Sequence, residues 1–129
     1  MNWADLVIVL ALCQFFFFGA LVGQARGKYG VAAPAVSGHE MFERLYRVQM
    51  NTLELLMVFV PAIALAAKYW SPVWAAGLGV VYLVGRMIYW RTYVANPASR
   101  SLGFGLSAGP ALALLVGALV GMARQGGLF

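Results

Sequence analysis

The chain has 129 residues, of which 63% are hydrophobic and 10% are charged, and its mean hydropathy is +0.82. Its 9 Lys and Arg and 4 Asp and Glu cannot cover the surface of a water-soluble domain of this length, so that class is excluded and the lipid bilayer is indicated as the solvent. The net charge of +5 does not indicate nucleic acid as a partner, because several basic residues stand inside apolar stretches and not on one water-facing patch.

Four apolar stretches are each long enough to cross a hydrocarbon core of roughly 30 Å as an α-helix. They cover about residues 4–26, 41–67, 73–95 and 98–123. The first has no basic segment before it, since Asp5 is the only charge ahead of Arg26, so we expect a retained helix and not a signal peptide. Period-2 alternation is absent, which excludes a membrane barrel. We predict an all-α membrane protein in which residues 1–129 form a single four-helix transmembrane bundle.

The connections between these stretches predict how the bundle is oriented. The first connection is the long one, and Asn96 followed by Pro97 marks the third as a helix start, so helix four is expected to begin near Pro97. Loops one and three share one side of the membrane and carry most of the flanking basic residues. The positive-inside rule therefore predicts that this side is cytosolic and that both termini lie outside. We expect a bacterial inner membrane.

Helix two carries polar residues that are expensive in a membrane unless they are paired or face water. Glu43, Arg47, Asn51 and Glu54 stand at i, i+4, i+8 and i+11, so they share one face of the helix. One interpretation is structural, with Arg47 paired to Glu43 or Glu54 to fix the helix packing. The other is a ligand site, because cations remain in excess over anions after such pairing.

Helix three ends with a second polar group. Arg86, Tyr89 and Tyr93 stand at i, i+3 and i+7, and Arg100 follows in the expected first turn of helix four. Together with the four polar residues on one face of helix two, they predict one basic, hydroxyl-rich pocket near the cytosolic face. Its donors suit carboxylates and a thiolate.

The helix-two residues also resemble a known family signature. Residues 42–54, with Pro61 beyond them, read FERLYRVQMNTLE and resemble the second helix of the MAPEG family, the membrane-associated proteins in eicosanoid and glutathione metabolism. Within that family, the leukotriene C synthase and microsomal glutathione transferase branch has the spacing seen here in Arg86, Tyr89, Tyr93 and Arg100. The similarity extends over nearly the whole chain.

The resemblance implies a set of roles. The implied glutathione-binding residues are Arg26, Arg47, Gln49, Asn51, Glu54, Tyr89 and Tyr93. Arg26 and Gln49 would act from a neighbouring subunit or from the edge of the site, since members of the family are homotrimers with glutathione between subunits. Arg100 would be catalytic and face the thiol, with Tyr93 as a further donor to sulfur. Glutathione is then the co-substrate, and no metal is expected, since Cys13 has no partner for a metal site.

The implied function is a glutathione transferase or glutathione peroxidase that acts on hydrophobic electrophiles or lipid hydroperoxides entering from membrane lipid. Gly27, Leu55 and Leu112 depart from the leukotriene-forming enzymes of the family, so that one reaction is not implied. Two alternatives stay open. One is a non-catalytic lipid-binding scaffold resembling the lipoxygenase-activating protein, against which Arg100 argues. The other is a small proton-coupled exporter, against which the position of Asp5 argues, because such exporters have an acid deep in helix one.

Overall fold

The computed structural model describes residues 2–127 as an all-helical fold. Its four long helices are α1 (Trp3–Tyr29), α2 (Glu40–Tyr69), α3 (Pro72–Ala95) and α4 (Ser101–Gln125), with a short 3-10 helix at Pro97–Ser99 before α4. All four are long and apolar enough to span a membrane. The prediction of an all-α chain with four helices of membrane-spanning length is therefore confirmed.

Local sequence signals explain where the helices begin and end. The Asn2 side chain accepts from the backbone N–H of Ala4 at 3.0 Å and so caps α1, which ends at Gly30 in the left-handed conformation with φ of 69°. Asn96 likewise accepts from Ala98, at 3.2 Å. It caps the 3-10 turn, however, and α4 itself starts only at Ser101. Arg100 therefore lies at the joint between this turn and α4, and not inside the first turn of α4 as expected.

The four helices pack so that α2 and α3 each contact both α1 and α4. The interior is built largely from alanine together with a few aromatic rings, such as Phe59 and Tyr82, whose centroids are 3.7 Å apart. Large apolar side chains also point outward, among them Phe16 with 81% and Met57 with 74% of its surface exposed. An apolar exterior over an apolar interior is what a bilayer requires.

Two glycines bring the backbones of α3 and α4 into direct contact. A Cβ atom added at Gly103 would lie 2.4 Å from the backbone nitrogen of Tyr89, and one added at Gly85 would lie 2.6 Å from the carbonyl carbon of Leu106. Small residues at a crossing let membrane helices approach this closely. The contact fixes the end of α3 against the start of α4, where the polar residues of both helices lie.

Candidate glutathione site

A cavity of about 500 Å³ opens between α2, α3 and the beginning of α4. Its lining residues are Arg47, Asn51, Tyr89, Tyr93, Arg100, Ser101, Phe104 and Gly105. The first five were predicted from the sequence as site residues, and the structure brings them together. Three separate helical segments supply them, so the cavity exists only in the packed bundle.

The cations of the cavity have few competing partners. Arg47 Nη2 lies 3.5 Å from Oε1 of Glu54, and both side chains are more than half exposed, at 52% and 60%. An exposed pair of this kind is weak, so a carboxylate ligand can replace Glu54 as the partner of Arg47. Arg100 is exposed and, within residues 2–127, its side chain has neither an ion pair nor a hydrogen bond. The site therefore offers positive charge to an anion.

The two tyrosines form one wall. Their rings stack with centroids 5.4 Å apart and an angle of 15° between the planes. Tyr89 is buried, whereas Tyr93, one turn further along α3, is half-buried. The pair gives the wall a flat aromatic surface, and the phenol groups are hydrogen-bond donors for a ligand.

Arg86 occupies a different place from the one its spacing predicted. It does not line the cavity but is fully buried behind it, with its guanidinium carbon 4.4 Å from the centre of the Tyr89 ring. Its Nε donates to Ser107 Oγ at 2.9 Å, and its Nη1 donates to Asn51 Oδ1 at 2.8 Å and to Thr52 Oγ1 at 3.1 Å. Helix periodicity gave the correct face of α3 but not the depth of the side chain.

Arg26 and Gln49 are not at the cavity of their own chain. Arg26 Nη1 donates to the carbonyl oxygen of Ala35 at 2.7 Å, and its guanidinium carbon lies 4.8 Å from the centre of the Phe42 ring. Gln49 points to α1, where a Cβ atom at Gly19 would lie 3.0 Å from its Nε2. Their contribution to a neighbouring subunit's site stays a prediction.

The remaining charges of helix two serve local structure. Glu43 Oε2 accepts from the backbone N–H of Gly38 at 3.1 Å. Arg44 pairs with Glu40 one turn before it, and its Nη1 donates to the carbonyl oxygen of Val94 at 2.8 Å. Arg44 thus ties the first turns of α2 to the last turn of α3. The contact of Arg47 with Glu54 is one of the two pairs that the structural interpretation named, but it is an exposed pair, and Glu43 binds the backbone of Gly38 and not Arg47.

Three lining residues were missed by the sequence analysis, namely Ser101, Phe104 and Gly105. Phe104 stands four positions after Arg100, and Gly105 stands four positions after Ser101, so these pairs have the spacing of neighbours on adjoining faces of a helix. The signal was therefore present once Arg100 was assigned to the site. Phe104 is the lining residue whose side chain is entirely apolar.

Known proteins match this chain over most of its length. The model of the MAPEG family matches residues 5–120. An uncharacterized protein of Synechocystis is 43% identical over 123 residues, which are 95% of this chain and 90% of that protein. Human microsomal glutathione S-transferase 2 is 42% identical over 114 residues, 88% of this chain and 78% of the enzyme. Bovine leukotriene C4 synthase is 31% identical over 94 residues, which are 73% of this chain and 63% of that protein. The four apolar helices indicate an integral, multi-pass membrane protein. Because the family match runs from the first turn of α1 far into α4, the chain belongs to the MAPEG family.

Proposed function

We propose that the chain is a membrane-bound glutathione transferase, which binds glutathione in the cavity between α2, α3 and α4. The observation that carries this proposal is the convergence of Arg47, Asn51, Tyr89, Tyr93 and Arg100 on one cavity. Relatives about 40% identical are named microsomal glutathione S-transferase 2, which supports the same chemistry. With a volume of about 500 Å³, the cavity lies within the range of small-molecule sites.

Several polar groups of glutathione have a partner of suitable chemistry here. Arg47 binds a carboxylate, because a guanidinium offers two parallel donors to the two carboxylate oxygens. Glu54 then leaves Arg47 and pairs with the free amino group of the tripeptide. Asn51 forms a hydrogen bond with the ligand, and the phenols of Tyr89 and Tyr93 supply further donors.

The chemical step needs the thiolate of glutathione, which is the nucleophile. A thiol with a pKa near ~8.5 is only a few per cent ionised at neutral pH. Arg100 is the residue that changes this, because a permanent positive charge beside sulfur lowers the thiol pKa, at about 1.4 kcal/mol per unit. Tyr93 donates a hydrogen bond to the same sulfur. The thiolate attacks the electrophilic carbon, a C–S bond forms, and the leaving group departs with its electron pair.

We also propose a homotrimer with glutathione between subunits, in which Arg26 and Gln49 reach the site of a neighbouring chain. Reduction of lipid hydroperoxides is a second reaction of the same thiolate. There two glutathione molecules become the disulfide while the hydroperoxide becomes an alcohol and water. The hydrophobic partner reaches the site from the bilayer, and the chain sits in a bacterial inner membrane with loops one and three on the cytosolic side.

The test is conjugation of glutathione to chlorodinitrobenzene by detergent-purified protein across a pH series. Arg100→Ala should lower the rate at pH 7 by about 10- to 100-fold, since the thiol loses its stabilising charge. The loss should shrink as rising pH ionises the thiol without help. Arg91→Ala is the matched control, because Arg91 is exposed on α3 and is not a lining residue of the cavity.

The outcomes separate the functions. A wild-type rate equal to buffer, with neither hydroperoxide reduction nor a rise in Tm with millimolar glutathione, would reject the proposal, because a ligand of the folded state must stabilise it. That result would leave the lipid-binding scaffold. If Arg100→Ala lowers the conjugation rate by the same factor at every pH, the transferase function stands, but Arg100 does not stabilise the thiolate.

A further inference from the structure

Arg86 is the one fully buried charged side chain among residues 2–127. No acid neutralises it, since the ion pairs of this part of the chain join Arg44 to Glu40 and Arg47 to Glu54. An unpaired charge inside a membrane bundle is costly, and such residues are a sign of function. The reaction described above does not use Arg86 directly, so its burial needs another explanation.

Two hydroxyl groups are arranged to hold the guanidinium. Thr52 donates its hydroxyl proton to the carbonyl oxygen of Val48 at 2.8 Å, and Ser107 donates its own to the carbonyl oxygen of Gly103 at 2.6 Å. A hydroxyl has one proton, so the oxygens of both are left as acceptors for Arg86. These two hydrogen bonds lie within α2 and within α4, and Arg86 takes no part in them.

The third acceptor is a lining residue of the cavity. Arg86 Nη1 lies 2.8 Å from the side-chain amide of Asn51. A guanidinium has donors only, so the Asn51 atom that faces it must be the oxygen, and the choice between amide oxygen and nitrogen is settled by chemistry. The NH₂ group of Asn51 is then the end of the side chain that is free for a ligand in the cavity.

We propose that Arg86 is a positioning residue that fixes the orientation of the Asn51 amide, so that Asn51 acts as a donor and the cavity selects a ligand with an acceptor oxygen at that point. The bound group is a carbonyl or carboxylate oxygen of the ligand. The identity of that ligand as glutathione rests on the proposed function. Without Arg86 the amide of Asn51 can adopt either of two flipped orientations. In one of them its oxygen faces the acceptor oxygen of the ligand, and no hydrogen bond forms.

A double-mutant cycle on glutathione affinity tests whether Arg86 acts through Asn51. Calorimetry with glutathione gives the Kd for wild type, Arg86→Met, Asn51→Ala and the double variant. Each single variant should weaken binding about tenfold, the size of one lost hydrogen bond to a ligand, and the double variant should be no weaker than Asn51→Ala alone. Arg91→Met is the matched control on the same helix and should bind as wild type does.

A purely structural arginine would give a different pattern. If Arg86→Met binds glutathione like wild type, or weakens binding by the same factor with and without Asn51, the proposal is overturned. If the wild-type protein does not bind glutathione at all, the proposed function itself fails. This result is obtained before any variant is compared.

A second pair of variants covers the case in which Arg86→Met does not fold. Asn51→Asp keeps two acceptors for Arg86 but has no donor, so the protein should stay folded, with a Tm at or above that of wild type, yet bind glutathione at least tenfold more weakly. Arg86→Lys keeps a donor for Asn51 and should bind within about threefold of wild type. Normal binding by Asn51→Asp would overturn the proposal.

Discussion

The contact between Gly103 and Tyr89 allows a quantitative prediction about activity. A Cβ atom at position 103 would lie 2.4 Å from the backbone nitrogen and 2.5 Å from the Cα of Tyr89. Ordinary contacts begin near 3.4 Å, so Gly103→Ala requires the start of α4 to move away from α3 by about 1 Å. Both obstructing atoms belong to the backbone, so no side-chain rotation can relieve the clash.

That displacement moves one wall of the cavity against the other. Phe104 and Arg100 travel with α4, whereas Tyr89 and Tyr93 stay on α3. A misplacement of about 1 Å at a catalytic site costs on the order of 100-fold in rate, and overpacking costs about 1–3 kcal/mol of stability. We therefore expect Gly103→Ala to lose about 100-fold in conjugation rate and to unfold at a lower temperature.

The matched control is Gly109→Ala on the same helix. A Cβ atom there meets no neighbouring helix within 4 Å, so alanine should leave the crossing and the rate unchanged. Because Pro110 follows directly in α4, no gain in stability is expected from this substitution. The measurements are chlorodinitrobenzene conjugation and thermal unfolding in the same detergent. If Gly103→Ala matches Gly109→Ala in both, then the close crossing does not position the site and the reasoning fails.

Three further predictions concern helix two and the orientation of the chain. Glu54→Gln should raise the KM for glutathione about tenfold with little change in kcat, because the amino group of the ligand loses a charged partner; saturation kinetics measure this. Arg44→Met should lower the free energy of unfolding by about 1 kcal/mol, since the carbonyl of Val94 loses its donor, and leave the KM unchanged. A single cysteine at Ser37 in a Cys13→Ala background should react with an impermeant maleimide in inverted vesicles and not in right-side-out vesicles.

Each of these has a result that counts against it. An unchanged KM in Glu54→Gln would remove Glu54 from the glutathione site. A raised KM in Arg44→Met would show that Arg44 contributes to the ligand. Labelling of Ser37→Cys in right-side-out vesicles would reverse the proposed orientation, and vesicles opened with detergent provide the control for total reactive thiol.

The spans could be predicted from the sequence because the length and polarity of an apolar stretch are local properties. Much of the cavity could be predicted as well, since the spacing of Arg47 and Asn51 fixes their common face on α2. The spacing of residues along the sequence does not determine how far a helix is rotated about its axis or how closely it approaches its neighbour. The α3 to α4 crossing at Gly85 and Gly103 sets that distance, and it is why Arg86 lies behind the cavity and not in it.

Arg26 and Gln49 show a second limit. Their predicted roles rest only on the family resemblance, and inside one chain both side chains are engaged elsewhere. The prediction of the third connection was limited in a smaller way. Asn96 was recognised as a cap, but whether a capped turn continues as an α-helix depends on contacts after it, such as that of Ser99 Oγ with the carbonyl oxygen of Thr92 at 3.0 Å.

Phe104 belongs both to the cavity and to the outer apolar surface of α4, where 42% of it is exposed. If the second substrate is a hydrophobic molecule dissolved in the bilayer, as proposed above, it meets the site from a two-dimensional reservoir, while glutathione arrives from water. The rate should then follow the mole fraction of that reactant in the lipid and not its concentration in the assay volume. Adding inert lipid or detergent at constant reactant would slow the enzyme by dilution within the membrane phase alone.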